Sequence, residues 1–169
     1  MNDLNKIKQN YLFSNKNVII CATITFFIFF LDRISKIKII KHQIENNRLY
    51  VNEFINLELV WNTGIAFGFL SSNTSLIYNL TTALIGIVIL FLVYLIFKSK
   101  FIDKFFFSMI LGGALGNFYD RIAYFAVPDF IDLHYKNFHW FTFNIADIFI
   151  SLGVIILIFN DLLTKNEKN

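Results

Sequence analysis

The stretch from Leu59 to Phe97 contains no Asp, Glu, Lys or Arg. A helix needs about 20 mostly apolar residues to cross a bilayer, so this stretch is more than long enough to contain one. In the whole chain, 56% of the residues are hydrophobic, 16% are charged, and the mean hydropathy is +0.58. This composition excludes a disordered chain and a soluble core, and it is typical of a membrane protein.

Charge-free runs divide the chain into four apolar segments. We therefore predict an all-α membrane protein with four transmembrane helices, a small β-rich element on the outer face and a second outer loop. The whole chain, residues 1–169, is expected to form a single domain. The predicted spans are about 18–37, 76–97, 104–123 and 142–162, and the outer segments are about 41–75 and 124–141.

Four spans place both termini on one side of the membrane. Lysines lie before the first span, between the second and third, and after the fourth, so the positive-inside tendency makes that side cytoplasmic. The outer segments also carry cations, such as Arg48 and Lys136, which weakens this argument. The net charge of +3 suits anionic lipid headgroups better than nucleic acid, and no nucleic-acid partner is expected.

Three of the charge-free runs are too short to cross a bilayer alone. The run from Val18 to Leu31 covers about 21 Å, against a hydrocarbon core of about 30 Å. Extending the short helices carries Asp32, Asp120 and Asp147 into span ends on the same face of the membrane. A carboxylate at bilayer depth costs about 2.5–3.5 kcal/mol, so three that converge indicate a functional site.

A simpler interpretation treats these acids as helix ends at the membrane interface. Asp32 and Lys36 are four residues apart on one helical face and could form a plain ion pair. This interpretation fits Asp147 poorly, because no Lys or Arg lies within ten residues of it. Its polar neighbour, three residues earlier, is Asn144.

The first outer segment contains a period-two pattern. From Ile55 to Trp61, large apolar residues alternate with mostly polar ones, which predicts a β-strand lying on the outer leaflet. Asn62, Thr63 and Gly64 follow, and this tripeptide is typical of a turn. Taken alone, this tripeptide is explained by a turn and does not indicate a functional site.

The second outer segment contains the only proline of the chain, Pro128, directly before Asp129. Proline stops a helix there and stiffens the backbone that presents Asp129. Asp132, His134 and His139 follow. A metal site built from them is conceivable, but their aromatic neighbours favour packing at the membrane interface.

Small and polar residues share one predicted helix, the third. Gly112 and Gly116 form a small-xxx-small pair that allows close contact with another helix. Gly113, Asn117 and Asp120 follow one stripe at helical spacing. This helix is therefore expected to face the interior of the protein.

The sequence lacks the signatures of several hydrolase classes: it has no Gly-x-Ser-x-Gly elbow, no Gly-rich phosphate loop and no His-Glu-x-x-His zinc motif. Of the groups that could carry out hydrolysis, paired carboxylates remain. Two Asp side chains shielded from water share one proton, so that the ionised one activates a water and the other protonates a carbonyl or a leaving amine. Asp32 and Asp120 have cations four residues away or adjacent, which favours a structural role. Asp129 and Asp147 are better placed to share a proton.

Five sequence blocks follow one another along the chain: Asp32-Arg33-x-x-Lys36, Asn62-Thr63-Gly64-Ile65-Ala66-Phe67, Gly112 through Arg121, Asp129-Phe130-Ile131, and Phe143-Asn144-Ile145-Ala146-Asp147. With these blocks the chain resembles bacterial lipoprotein signal peptidase, signal peptidase II, a family of small four-helix membrane aspartic peptidases. The blocks extend from the first span to the last and are specific only in combination. One position departs from the pattern: Pro128 stands where the family is expected to have a β-branched residue.

The resemblance implies a catalytic pair, Asp129 and Asp147, that works without a metal or other cofactor. The family cleaves the signal peptide from prolipoproteins before a cysteine that carries a diacylglyceryl group, near the outer leaflet of the bacterial plasma (inner) membrane. Membrane lipids are expected as further partners, and the chain is expected to be a monomer. The matching residues that would support the site or hold the substrate are Asp32, Lys36, Asn62, Gly64, Ala66, Asn117, Asp120, Arg121 and Asn144.

Two other classes of function remain open. A proton or ion translocator would use Asp32, Asp120 and Asp147 as a relay, but its carboxylates should spread through the membrane depth instead of gathering at one face. A structural assembly subunit would use Gly112 and Gly116 as its helix contact. That interpretation leaves the charged span ends unexplained.

Overall fold

The computed structural model describes residues 15–45, 49–64 and 75–166. Within these ranges lie four helices: α1 (Asn15–Glu45), α2 (Ser75–Lys98), α3 (Phe101–Tyr124) and α4 (Ile145–Asn166). Among the described helices, α1, α2 and α4 contain segments long and apolar enough to cross a membrane. α3 differs because only its middle, from Phe105 to Tyr119, is free of charged residues.

The central helix of the bundle is α3, which packs on α1, α2 and α4. Its glycines allow this. A Cβ atom at Gly112 would lie 2.7 Å from the backbone oxygen of Thr25 in α1, and one at Gly113 would lie 2.6 Å from that of Ala146 in α4. The predicted close packing of this helix is confirmed, and its contacts are with helices of the same chain.

The outer surface of the bundle is apolar. Large side chains such as Leu90, Phe91 and Phe159 are more than half exposed. Such a continuous apolar surface is unfavourable in water and favourable in lipid. Lipid supplies no hydrogen-bond partners, but the backbone groups of a helix are already satisfied by one another. The buried core beneath it includes Cys21, Ile89, Leu92, Ile110, Leu111 and Ala114.

An antiparallel sheet covers one end of the bundle. In the described part of the chain its strands are β1 (Leu49–Tyr50), β2 (Ile55–Asn62), β3 (Val127–Tyr135) and β4 (Phe138–Phe143), in the order β1-β2-β3-β4. The predicted strand from Ile55 and the turn after it are confirmed, since the Gly64 N–H donates to Asn62 Oδ1 at 2.8 Å.

The prediction of a second outer loop was wrong. Residues 127–143 form the β3-β4 hairpin, and β3 pairs with β2 so that Trp61 lies opposite Pro128 and Val60 opposite Asp129. The partner strand is more than 60 residues away in sequence, which is why local patterns did not reveal the pairing. Pro128 therefore lies inside a strand, and α3 has already ended at Tyr124.

α1 is longer than the predicted span and ends at Glu45 instead of near residue 37. Its last turns carry Gln43, whose side chain accepts a hydrogen bond from Leu59 N at 2.8 Å and donates one to Leu57 O at 3.1 Å. The β2-β3 register shifts between Leu57 and Val60, so backbone groups there need partners outside the ladder. Gln43 supplies them and attaches the sheet to α1.

Candidate active site

Two of the predicted acids meet where β3, β4 and α4 come together. Asp129 is on β3 and is 3% exposed, and Asp147 is in the first turn of α4. Both bind Asn144: its Nδ2 donates to Asp129 Oδ1 at 2.6 Å, and its backbone N–H donates to Asp147 Oδ2 at 3.1 Å. The structure therefore brings the two acids together around one amide residue.

Asn144 also fixes the start of α4. Its Oδ1 accepts from the Asp147 N–H at 3.1 Å while Asp147 accepts from the Asn144 N–H, a reciprocal arrangement that satisfies two backbone donors at a helix N-terminus. This capping explains why α4 begins at Ile145 and not at the predicted residue 142. An acid in the first helical turn is also stabilised by the helix dipole.

Amide donors hold both oxygens of Asp129. Asn144 donates to Oδ1, and Asn62 Nδ2, at the end of β2, donates to Oδ2 at 2.8 Å. Burial, and then the nearby charge of Asp147, raise the pKa of Asp129, whereas the two amide hydrogen bonds and the charge of Lys36 lower it. The balance brings this pKa to about 6. A carboxyl with such a pKa can gain and lose a proton near neutral pH.

A chain of contacts runs from Asp147 to α1. Asn117 on α3 donates from Nδ2 to Asp147 Oδ1 at 2.9 Å, and its Oδ1 accepts from Lys36 Nζ at 2.8 Å. The lysine therefore determines which way the amide of Asn117 points. The stripe predicted on this helix is confirmed for Asn117, which lies between α1 and α4.

A buried ionic cluster lies behind the acid pair. Lys36 Nζ donates to Asp32 Oδ2 at 2.8 Å and to Asp120 Oδ2 at 2.7 Å, and these three residues are fully buried. Asp32 Oδ1 accepts from the Ala146 N–H at 3.0 Å, which ties α1 to the start of α4. The Asp32–Lys36 ion pair considered in the sequence is present, at depth and not at a solvated helix end.

The cation partners of Asp120 come from α1. Lys36 Nζ donates to Asp120 Oδ2, and Arg33 Nη1 donates to Asp120 Oδ1. The sequence suggested the adjacent Arg121, but that side chain points elsewhere: its Nη2 donates to the Gly64 backbone oxygen at 2.5 Å and its Nη1 to the Asn117 backbone oxygen at 3.2 Å. Arg121 thus fixes the turn that positions Asn62.

Small residues make room for these contacts. A Cβ at Gly116 would lie 2.5 Å from Asp32 Oδ2, so a larger residue would displace that carboxylate. Gly64 is buried and is held by Arg121 and Asn62. Ala66, the other predicted small residue, lies outside the described residues.

Some contributors were missed by sequence reasoning. Arg33 was not assigned a site role, although it is next to Asp32 and three residues from Lys36. Gln43 lay beyond the predicted end of its helix. The Ala146 N–H could not be assigned because a backbone donor leaves no sequence signal.

The histidines of the sheet form a separate cluster. His134 is buried, its ring stacks on that of His139, and it accepts a hydrogen bond from Asn56 Nδ2 at 3.0 Å. The exposed His139 ring lies 2.8 Å, by its Nδ1, from Asp132 Oδ2. Within residues 15–45, 49–64 and 75–166, no group of three or more His, Cys, Asp or Glu side chains could hold a metal ion.

A groove of about 220 Å³ leads from Asp147 into the apolar part of the bundle. Asp147, Asn117 and Arg121 line one end of it. The other lining residues belong to α2, α3 and α4 and are mostly apolar: Ile85, Val88, Leu92, Ile110, Ala114, Ile150 and Ser151. A larger cavity of about 340 Å³ between α1 and α3 contains none of the acids. The smaller groove joins an apolar surface to the Asp147 carboxylate.

Known proteins were compared with the whole chain. The family model for Signal peptidase (SPase) II matches residues 24–163. The chain is 48% identical over 155 residues to a lipoprotein signal peptidase of Pelagibacter ubique (strain HTCC1062), covering 90% of this chain and 93% of that protein. It is 42% identical over 140 residues to a lipoprotein signal peptidase of Thermodesulfovibrio yellowstonii, covering 81% and 90%.

Solved structures show a similar fold. A bacterial membrane enzyme determined by the in meso method at 2.3 Å resolution has a TM-score of 0.76 and 28% sequence identity, over 94% of each chain. A second bacterial membrane enzyme, determined by the same method at 1.9 Å, has a TM-score of 0.70 and 28% identity, covering 90% of this chain and 96% of that one.

Proposed function

The chain belongs to the signal peptidase II family of lipoprotein signal peptidases, and from this premise we propose that Asp129 and Asp147 are its catalytic pair. The observation that carries the proposal is their shared partner, because both carboxylates accept hydrogen bonds from Asn144. Within residues 15–45, 49–64 and 75–166 neither acid forms an ion pair, and Asn62 and Asn117 supply their remaining amide partners.

The proposed reaction is the hydrolysis of one peptide bond by a water molecule. The two acids share a proton, since two neighbouring carboxylates cannot both ionise cheaply. The ionised member takes a proton from the water as its oxygen attacks the carbonyl carbon. The protonated member then gives its proton to the leaving amine as the C–N bond breaks. The raised pKa of Asp129 supports this exchange near neutral pH.

The proposed substrate is a prolipoprotein whose cysteine carries a diacylglyceryl group, cut before that cysteine. Acyl chains gain about 0.8 kcal/mol for each methylene they bury. The apolar groove that begins at Asp147 could bury such chains or the apolar part of a signal peptide next to the acid pair. No metal or other cofactor takes part in the proposed reaction.

The proposed membrane arrangement has four spans, with α3 as the fourth crossing helix beside α1, α2 and α4. Its charged end is compensated by Arg33 and Lys36 of α1, which supports burial of that end in the bundle. Both termini would be cytoplasmic, and the sheet and acid pair would lie at the outer leaflet of the bacterial plasma membrane. A monomer is sufficient, because all the proposed site residues that the structure describes come from one chain.

The direct test is cleavage of a diacylglyceryl-modified prolipoprotein by the purified protein in detergent or lipid. We expect a product that begins at the lipidated cysteine, and loss of at least about 10³-fold in activity for Asp129→Asn and for Asp147→Asn. Asp161→Asn, an exposed acid on the same helix as Asp147, is the matched control and should retain activity. Normal cleavage by either Asp129→Asn or Asp147→Asn would refute the pair.

A second arm of the assay addresses metal dependence. Activity should be unchanged in EDTA, because amide side chains, and no metal, hold the two acids in the proposed reaction. Strong loss of activity in EDTA would contradict that mechanism and point to a metal site near Asp129 and Asp132. The translocator alternative gains no support from the two relatives described above, which both carry peptidase names.

A further inference from the structure

Arg33 occupies a defined position behind the proposed catalytic pair. It is 6% exposed, its Nη1 donates to Asp120 Oδ1, and its guanidinium carbon lies 4.7 Å from the ring centre of Tyr119 and 5.8 Å from that of Tyr124. The two aromatic rings and the carboxylate therefore hold the guanidinium in one place. Within the part of the chain that the structure describes, Arg33 donates to Asp120 and forms no hydrogen bond with Asp129 or Asp147.

The charge of Arg33 balances the buried cluster. Asp32 and Asp120 carry two negative charges, and Lys36 and Arg33 carry two positive ones. All four residues are at least nine-tenths buried. Without Arg33 the cluster would have one uncompensated negative charge, which is costly in a site shielded from water.

The hydrogen bonds of Lys36 depend on this balance. An ammonium group has three donors, and Lys36 directs them to Asp32, Asp120 and Asn117. Arg33 binds Oδ1 of Asp120, so only Oδ2 of that carboxylate is directed at Lys36. If Arg33 were absent, both oxygens would attract the ammonium and draw it away from Asn117.

We propose that Arg33 is a positioning residue for the peptidase reaction: by binding Asp120 it leaves Lys36 able to orient Asn117 against Asp147. The inference rests on the proposed function. It assigns Arg33 no contact with the substrate, and it predicts that the residue affects the rate of the chemical step and the proton balance of the acid pair.

The net charge of the cluster also affects how tightly the proposed catalytic acids bind their proton. The charge of Lys36 already acts on Asp129. An added negative charge in the cluster would make the acid pair hold its shared proton more tightly. The titratable and charged groups that face Arg33 and this region are Asp32, Asp120, Asp129, Asp147, Lys36, Arg121, Tyr78, Tyr119 and Tyr124.

The test compares Arg33→Gln, Arg33→Lys and Lys38→Gln in the cleavage assay across pH. Arg33→Gln should lower kcat about ten- to a hundredfold with little change in KM, and should move both limbs of the pH–rate profile to higher pH. Arg33→Lys should restore most of the rate and the profile. Lys38→Gln removes the same charge from an exposed position of α1 and should leave both unchanged.

A double variant separates charge balance from a general loss of structure. Arg33→Gln combined with Asp120→Asn keeps the cluster neutral, so its pH limbs should return to the wild-type positions. Its kcat should be higher than that of Arg33→Gln alone, because the Asp120 carboxylate no longer draws Lys36 away from Asn117. If Arg33→Gln alone does not fold, this double variant carries the test, and limbs that stay shifted would overturn the inference. An unchanged profile in folded Arg33→Gln would do the same. Absence of cleavage by the wild-type protein would instead overturn the proposed function itself.

Discussion

Two pairs of aspartates lie close together in this protein and differ in their partners. Asp32 and Asp120 are fully buried and bind cations, Lys36 and Arg33. Asp129 and Asp147 bind amides: Asn62, Asn117 and Asn144 supply side-chain or backbone N–H groups to them.

The difference in partners sets what each pair can do. Asp120 binds two cations and Asp32 binds one, so protonating either carboxylate would remove a buried ion pair. A carboxylate held by neutral amides keeps its position in either protonation state. The ionic pair therefore suits a structural role, and the amide-held pair suits a reaction in which protons move.

The largest expected effect comes from removing the shared cation. Lys36→Met would leave two buried carboxylates with only Arg33 between them, and breaking a buried ion pair in this way costs about 3–5 kcal/mol. We expect a clearly lower unfolding temperature in detergent together with loss of activity. Lys38→Met, on the exposed side of the same helix, is the control and should unfold like the wild type. Equal stability of the two variants would mean that the cluster contributes little to stability.

The next effect concerns pH and belongs to the amide-held pair. Asp129 has an ordinary pKa of 3.8 and a folded pKa of about 6, so the folded state binds its proton more tightly than the unfolded state does. The stabilisation that Asp129 gives to the folded state is therefore fully present below about pH 4 and is lost as pH rises through about 6. The free energy of unfolding changes by up to about 3 kcal/mol over this range.

Thermal unfolding between pH 4 and pH 7 measures this contribution. Asp129→Asn cannot titrate, so its stability should fall less over this range than that of the wild type. Asp161→Asn should keep the wild-type pH dependence. If the Asp129→Asn and wild-type curves are parallel, the proton on Asp129 does not distinguish the folded from the unfolded state.

The smallest expected effect on stability comes from the residue that the two acids share. Asn144→Ala removes the helix cap of α4 and should cost about 1 kcal/mol, together with most of the activity. Asn144→Ser keeps a capping oxygen but lacks the amide donor to Asp129. It should recover the stability but not the activity, as measured by thermal unfolding and by the cleavage assay. Recovery of both would show that capping alone explains the role of Asn144.

Local sequence patterns predicted β2 and its turn well, because alternation and an Asn-Thr-Gly tripeptide depend on neighbouring residues. They did not predict β3 and β4. The hairpin pairs with a strand more than 60 residues earlier, and Pro128 suggested a loop. The end of α1 was also misplaced, because the predicted span was given only the about 20 residues that cross a bilayer, whereas the helix continues to Glu45.

For the acids of the candidate site, too, local sequence revealed what depends on neighbouring residues and not what depends on distant ones. Asp129 and Asp147 could be singled out because neither has an adjacent cation in the sequence. The partner of Asp120 could not, because adjacency along a helix favoured Arg121, whereas the side chain that reaches it comes from α1. Which charges meet across helices depends on how the helices pack and rotate, and the spacing of residues along one helix does not fix this.

The sequence by itself determined that this protein is a membrane protein, which acids are candidates for its chemistry and where its small residues allow close helix contact. Those properties follow from hydrophobicity, charge and size, which each residue carries wherever it lies. The tertiary structure alone decided that one acid pair is held by amides and the other is neutralised by cations. That distinction is a matter of a few ångströms between helices and strands that are distant along the chain, so only the folded arrangement could set it.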